Sequence, residues 1–116
     1  MAEENVLLDM VMALDDLERA LEAARASGAS GTWIDGVALV AQRLLDGLAR
    51  RGVTVEDPLG KPFDPAFHEA LLEVDPPPGA APGAVVQVAH KVYRRGDRAL
   101  RAARVVVARA PAGGSS

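Results

Sequence analysis

Residues 57–72, DPLGKPFDPAFHEALL, combine ordered turn chemistry with an apolar strand. Asp57-Pro58-Leu59-Gly60 fits a turn, with proline fixing φ at the second position and glycine free to take a positive φ shortly after. Asp64-Pro65 repeats the arrangement. Phe63 and Phe67, the two phenylalanines of the chain, are placed to anchor an otherwise irregular loop into a small core. The loop is therefore expected to be ordered. It holds no catalytic constellation, so it reads as part of a recognition surface.

Upstream of it the apolar period is helical. Val6, Leu7, Met10, Leu14, Leu17, Leu21 and Ala24 mark an amphipathic helix from Val6 to about Ala26, and positions 7, 10, 14, 17, 21 and 24 alternate by three and four as in a heptad. Ser27-Gly28-Ala29-Ser30-Gly31 is expected to be a flexible break, after which Thr32 can cap a second helix with Asp35 in a loose capping box. That helix is expected over Trp33 to Arg51, with Trp33, Val37, Val40, Leu44 and Leu48 on one face, Ile34, Ala41 and Leu45 broadening it, and Gly52 at the C′ position. A lone helical hairpin leaves one side of its apolar stripes wet. Pairing with a second copy into a four-helix bundle is the economical solution, with Leu7, Met10, Leu14, Leu17, Leu21, Val37, Val40, Leu44 and Leu48 at the dimer interface.

Downstream the period changes to that of strands. Val53 to Val55, His68 to Val74, Ala84 to Ala89, Lys91 to Arg95 and Ala99 to Arg109 are short β candidates divided by proline and glycine turns. Residues 75–83, DPPPGAAPG, can only be a surface connection, and Gly96-Asp97 suits a hairpin tip. The expected architecture is α+β: a helical hairpin at 1–52, a compact β domain at 53–110 and a disordered tail at 111–116.

A chain of 116 residues buries a thin core, and 3% aromatic content makes that core aliphatic. No window approaches the roughly 20 consecutive apolar residues of a membrane span, so no membrane partner is expected. With no cysteine there is no disulfide framework or thiolate metal site, which fits a cytoplasmic location. The net charge of −3 is unevenly divided: residues 1–82 hold six Lys/Arg and fifteen Asp/Glu, whereas residues 83–116 hold seven Lys/Arg and Asp97 alone. A basic segment of this kind suits an anionic partner or balances the acidic remainder.

Chemistry-bearing motifs are absent. His68 and His90 have no second ligand at metal-site spacing, no nucleophile elbow accompanies His68-Glu69, and the eleven glycines form neither a phosphate loop nor a dinucleotide fingerprint. No cofactor, metal or catalytic residue is expected. A basic nucleic-acid module is the runner-up to a protein-binding one, on the strength of Arg94, Arg95, Arg98, Arg101, Arg104 and Arg109. Single-strand readers need stacking aromatics among their cations, and here Tyr93 alone is available. Arg104 and Arg109 read as a solvated strand face.

The order of these motifs resembles the GrpE family, nucleotide exchange factors of DnaK-type chaperones. The resemblance rests on Asp57 to Gly60, Pro62 to Pro65, His68 to Ala70, Pro82-Gly83, Val85-Val86, Lys91, Tyr93, Arg98, Leu100-Arg101, Ala103, Val105 and Val107. Upstream it adds Leu14 to Leu21, Gly36-Val37 and Leu44 to Asp46, so that it covers residues 6 to 109. It implies a homodimeric co-chaperone of the stress response that binds the ATPase domain of DnaK, opens its nucleotide cleft and accelerates ADP release, with a functional link to a DnaJ-type co-chaperone and no enzymatic step. It also implies that Arg98 contacts the chaperone from a β hairpin, with Ala89 and Val107 as apolar contacts on the same face and Lys91 and Arg101 as further candidates. Gly36 is a position where the family's glycine lies near the chaperone-facing side of the bundle. Close helix packing is the alternative reason for a glycine there.

The chain departs from the family pattern twice. Val92 stands where the pattern has glycine, so a straighter strand is expected. Few residues precede the first helix, where the family carries a long helix, which suggests a truncated or unusually short member.

Overall fold

The computed structural model describes residues 2–110, and the expected disordered tail at 111–116 lies outside them. The described chain is α+β, and it divides into two compact units between Thr54 and Val55.

The first unit holds α1 (Ala2–Ala26) and α2 (Thr32–Arg50), which pack against each other as a hairpin. Helix α1 starts four residues before the first apolar position, and Glu3 and Glu4 in its first turn complement the helix dipole. The break after α1 opens with a Schellman cap: Ala29 N–H donates to Ala24 O at 2.9 Å and Gly28 N–H to Arg25 O at 3.0 Å, with Gly28 at φ 91°. Thr32 does not cap α2. Gly31 is the N-cap at φ 108° and offers no side-chain bond, and Thr32 is already the first helical residue. Gly52, at φ 82°, closes the other end by donating to Ala49 O.

The expected heptad of α1 splits in two. Leu7, Leu14 and Leu21 are buried, together with Val11, which sequence reading left out. Met10, Leu17 and Ala24 are half-buried on an adjacent stripe with Val6, Ala13 and Ala20. In α2 the buried stripe is Ile34, Ala41 and Leu48; of the face expected to lead, Leu48 is buried, and Trp33, Val37, Val40 and Leu44 stand half-buried or exposed beside it. Each helix thus carries two apolar stripes, one covered and one open.

The second unit is built from short strands, the first of which begins two residues before the division. Strands β1 (Val53–Glu56), β4 (Val92–Arg95) and β5 (Arg98–Arg101) form one three-stranded sheet in the order β1-β4-β5. Strands β2 (His68–Val74), β3 (Val85–His90) and β6 (Ala103–Ala108) form the other, with β6 central, parallel to β2 and antiparallel to β3. The run expected as one strand from Ala99 to Arg109 breaks at Ala102, because β5 pairs with β4 in one sheet while β6 enters the other. Between the two sheets sits a core of Val85, Val92, Ala103, Val105 and Val107, with Phe63, Phe67, Val88 and Ala99 packed on it.

Val92 lies at the heart of this core, fully buried. The side chain that replaces the pattern's glycine is a core filler, worth about 1.5–3 kcal/mol of apolar burial, and its role is in packing rather than in strand straightness.

Candidate functional site

The loop at 57–67 is locked. Asp57 Oδ1 accepts from Leu59 N–H and Asp64 Oδ1 from Ala66 N–H, each at 3.0 Å. The hydrogen-bonded turn runs one residue later than expected, Lys61 N–H to Pro58 O, with Gly60 at φ 82° in its third position. Gly60 N–H donates to Val85 O, Val85 N–H to Lys61 O and Phe63 N–H to Gly83 O, which staples the loop along the start of β3. His68 is buried and its Nδ1 accepts the Asp64 amide at 2.9 Å, while its ring lies 5.8 Å from that of Phe63. This histidine holds the loop end, and the arrangement leaves its ring facing the protein rather than a substrate.

Strands β4 and β5 form a hairpin whose tip is Gly96-Asp97. Gly96 has φ 65° and no described non-glycine residue has a positive φ, the pattern of a type II′ turn. The cross-strand partners are Arg95 with Arg98, Arg94 with Ala99, and Tyr93 with Arg101, so Leu100 is the extra residue of a β-bulge. Cross-strand partners share a face of a ribbon, and residues two apart on one strand share it as well. One face of the hairpin therefore carries Tyr93, Arg95, Arg98 and Arg101. The other face carries Val92, Arg94 and Ala99, turned to the core, where the Arg94 guanidinium covers the Phe67 ring at 4.1 Å. Without the bulge, three residues of separation would put Arg98 and Arg101 on opposite faces.

Of the candidates proposed from sequence, Arg98, Ala89 and Lys91 are exposed. Arg101 is half-buried: its Nη2 donates to Lys91 O at 2.8 Å and its guanidinium lies 5.2 Å from the Tyr93 ring centroid. The structure thereby brings Arg101 and Lys91 together and sets Arg98 on the same face as Arg101. Val107 does not join them. It is 7% exposed and points into the core with Val105 and Ala103, the alternate positions of β6, so it shares no exposed face with Ala89. Gly36 is exposed in the helical unit, and a Cβ built there meets nothing within 4 Å, so close packing within this chain does not account for the glycine.

Arg94, Arg104 and Arg109 have acidic neighbours. Arg104 Nε bonds Glu69 at 3.1 Å directly across the β2·β6 pair, Arg109 bonds Asp75, and Arg94 lies 3.7 Å from Glu56. Residues 55–110 hold eight Lys/Arg and seven Asp/Glu, so the basic segment is balanced within its own unit. Among the described residues there is no group of three or more His, Cys, Asp or Glu that could hold a metal ion, and no helix long and apolar enough to cross a membrane.

The family model described as GrpE matches residues 1–109. Among curated relatives, Protein GrpE of Saccharophagus degradans is 40% identical over 92% of this chain and 55% of its own length. The Protein GrpE of Stenotrophomonas maltophilia is 41% identical over 92% and 61%, and that of Mesorhizobium japonicum 43% identical over 93% and 54%. The chain thus spans little more than half the length of these relatives.

Proposed function

The chain belongs to the GrpE family, and from that premise we propose that it is a cytoplasmic co-chaperone that accelerates ADP release from a DnaK-type chaperone by binding its ATPase domain. The observation that carries this reading is the bulged β4–β5 hairpin, which aligns Arg95, Arg98 and Arg101 on one face of the ribbon. Such a face offers charge-assisted hydrogen bonds to carboxylates or carbonyls of a protein surface. Arg98 is the exposed contact next to its tip, and Ala89 and Lys91 are exposed at its base; Val107 is held in the core.

The work is done by differential affinity. A partner that binds the open nucleotide cleft better than the closed one weakens ADP binding by the same factor, and about 3 kcal/mol of coupling is more than a hundredfold. No covalent step is needed. The open stripes of the two helices, Val6/Met10/Ala13/Leu17 and Trp33/Val37/Val40/Leu44, support homodimerisation into a four-helix bundle, the arrangement that gives both a partner stripe. The acidic residues interleaved with Arg94, Arg104 and Arg109 favour a protein partner over a nucleic acid, whose phosphates Glu69, Glu73 and Asp75 would repel.

The test is stopped-flow release of a fluorescent ADP from a DnaK-type chaperone with this protein and with Arg98→Ala. Acceleration that the variant loses supports the reading. A folded dimer that produces no acceleration sinks it.

A further inference from the structure

We propose that Arg101 is a positioning residue, the strut that fixes the β4–β5 hairpin so that Arg98 is presented at a set angle, and that it makes no contact with the chaperone itself. The inference rests on the exchange-factor reading above and assigns Arg101 a role that differs from direct recognition.

Three observations converge on it. Arg101 is the last residue of β5 and stands directly across from Tyr93, which is 1% exposed, so its guanidinium forms part of the lid over that ring. The same guanidinium donates through Nη2 to the carbonyl of Lys91, the residue that separates β3 from β4. It thus ties the base of the hairpin to the joint between the two sheets, where a planar, always-charged fork can hold an aromatic face and a carbonyl at once. The bulge at Leu100 makes this possible, because it turns Arg101 onto the Tyr93 face and puts Arg98 on that face too. Chain direction at Arg98, three residues along β5, is then set by how firmly Arg101 is held.

A second feature separates the two arginines. Arg98 is exposed next to a two-residue tip, whereas Arg101 is half-buried at the far end of the strand, with a carbonyl of its own chain at hydrogen-bond distance. A side chain so engaged has to leave that carbonyl before it can reach a partner.

The experiment is a double-mutant cycle on ADP release with Arg98→Ala, Arg101→Ala and the double variant, together with Arg101→Lys, and amide hydrogen exchange across 92–101 in each free protein. We expect Arg101→Ala to raise the half-saturating concentration about tenfold, the loss of one charge-assisted hydrogen bond. The double variant should be no worse than Arg98→Ala alone. Exchange at the hairpin amides should quicken in Arg101→Ala with the helical unit unchanged, and Arg101→Lys should recover part of it, since lysine reaches the carbonyl without covering the ring. Multiplying effects in the double variant would make Arg101 a direct contact and overturn the proposal, as would unaltered hairpin exchange in Arg101→Ala. If the unmodified protein fails to accelerate release, the exchange reading fails by that result alone, and the hairpin exchange still decides whether Arg101 is the strut.

Discussion

Replacing His68 by alanine tests whether the ordered loop depends on one ring. In the structure the ring does two things: Nδ1 accepts the Asp64 amide at 2.9 Å, and the ring face packs near Phe63, itself on the rim of the core. Alanine leaves the Asp64 donor without its acceptor, which costs about 1–3 kcal/mol for a buried group and less for a partly buried one. Loss of the ring pair adds about 0.5–1.5 kcal/mol. A destabilisation of about 2–3 kcal/mol lowers the melting temperature of a domain of about 60 residues by at least ~10 °C. Scanning calorimetry measures it, with the fluorescence of the single tryptophan, Trp33, reporting the helical unit separately. His68→Asn is the control, because its amide oxygen can take the place of Nδ1 and should recover about half of the loss. If asparagine is as damaging as alanine, the hydrogen bond contributes nothing. If alanine changes nothing, the loop is held by its backbone bonds to β3 and the reasoning about His68 is wrong.

Two further perturbations address the helices. Gly36→Asp should weaken binding to the chaperone's ATPase domain at least tenfold by titration calorimetry while circular dichroism shows unchanged helix content, since open space surrounds the position in this chain; equal binding would remove Gly36 from the contact. Trp33→Lys combined with Val40→Lys places two charges on the open stripe of α2, where both residues are more than half exposed, and should turn the proposed dimer into a monomer in sedimentation velocity without unfolding the hairpin.

Most of the fold was legible because its signals are local. Gly28, Gly52, Gly60, Gly83 and Gly96 mark five chain reversals with positive φ, and the strands between them alternate or carry β-branched residues. The helical faces were legible only in part. Each helix has two neighbouring apolar stripes about a quarter-turn apart, and periodicity alone does not say which one the chain covers by itself. Leu7, Leu14, Leu21 and Leu48 prove to be covered already, so an interface built from the remaining expected residues draws on Met10, Leu17, Val37, Val40 and Leu44, to which the exposed Trp33 belongs as well. Val11 escaped notice because the step from Leu7 to Leu14 divides into three and four through either Met10 or Val11, and the pattern through Met10 was the one followed.

The candidate site was harder to read for a different reason. Period-two reasoning along residues 98–109, RALRAARVVVAR, assumes one unbroken strand, in which Arg98, Leu100 and Ala102 share a face with Arg104 and Val106. Two irregularities defeat it. The bulge at Leu100 reverses parity between Arg98 and Arg101, and the break at Ala102 hands the chain from one sheet to the other. Neither residue announces itself, since both are small or aliphatic and neither is glycine or proline. Their effect falls on Arg101: Ala103, Val105 and Val107 keep the alternation with Ala99 and close the core, whereas Arg101 leaves that parity and joins Arg98 on the Tyr93 face. A register slip of one residue exchanges a strand's two faces, so a regular ladder that kept Leu100 in the pairing would aim Arg98 and Arg101 apart while leaving every side chain of the site present. The proposed recognition face therefore depends on backbone register as much as on which residues it contains.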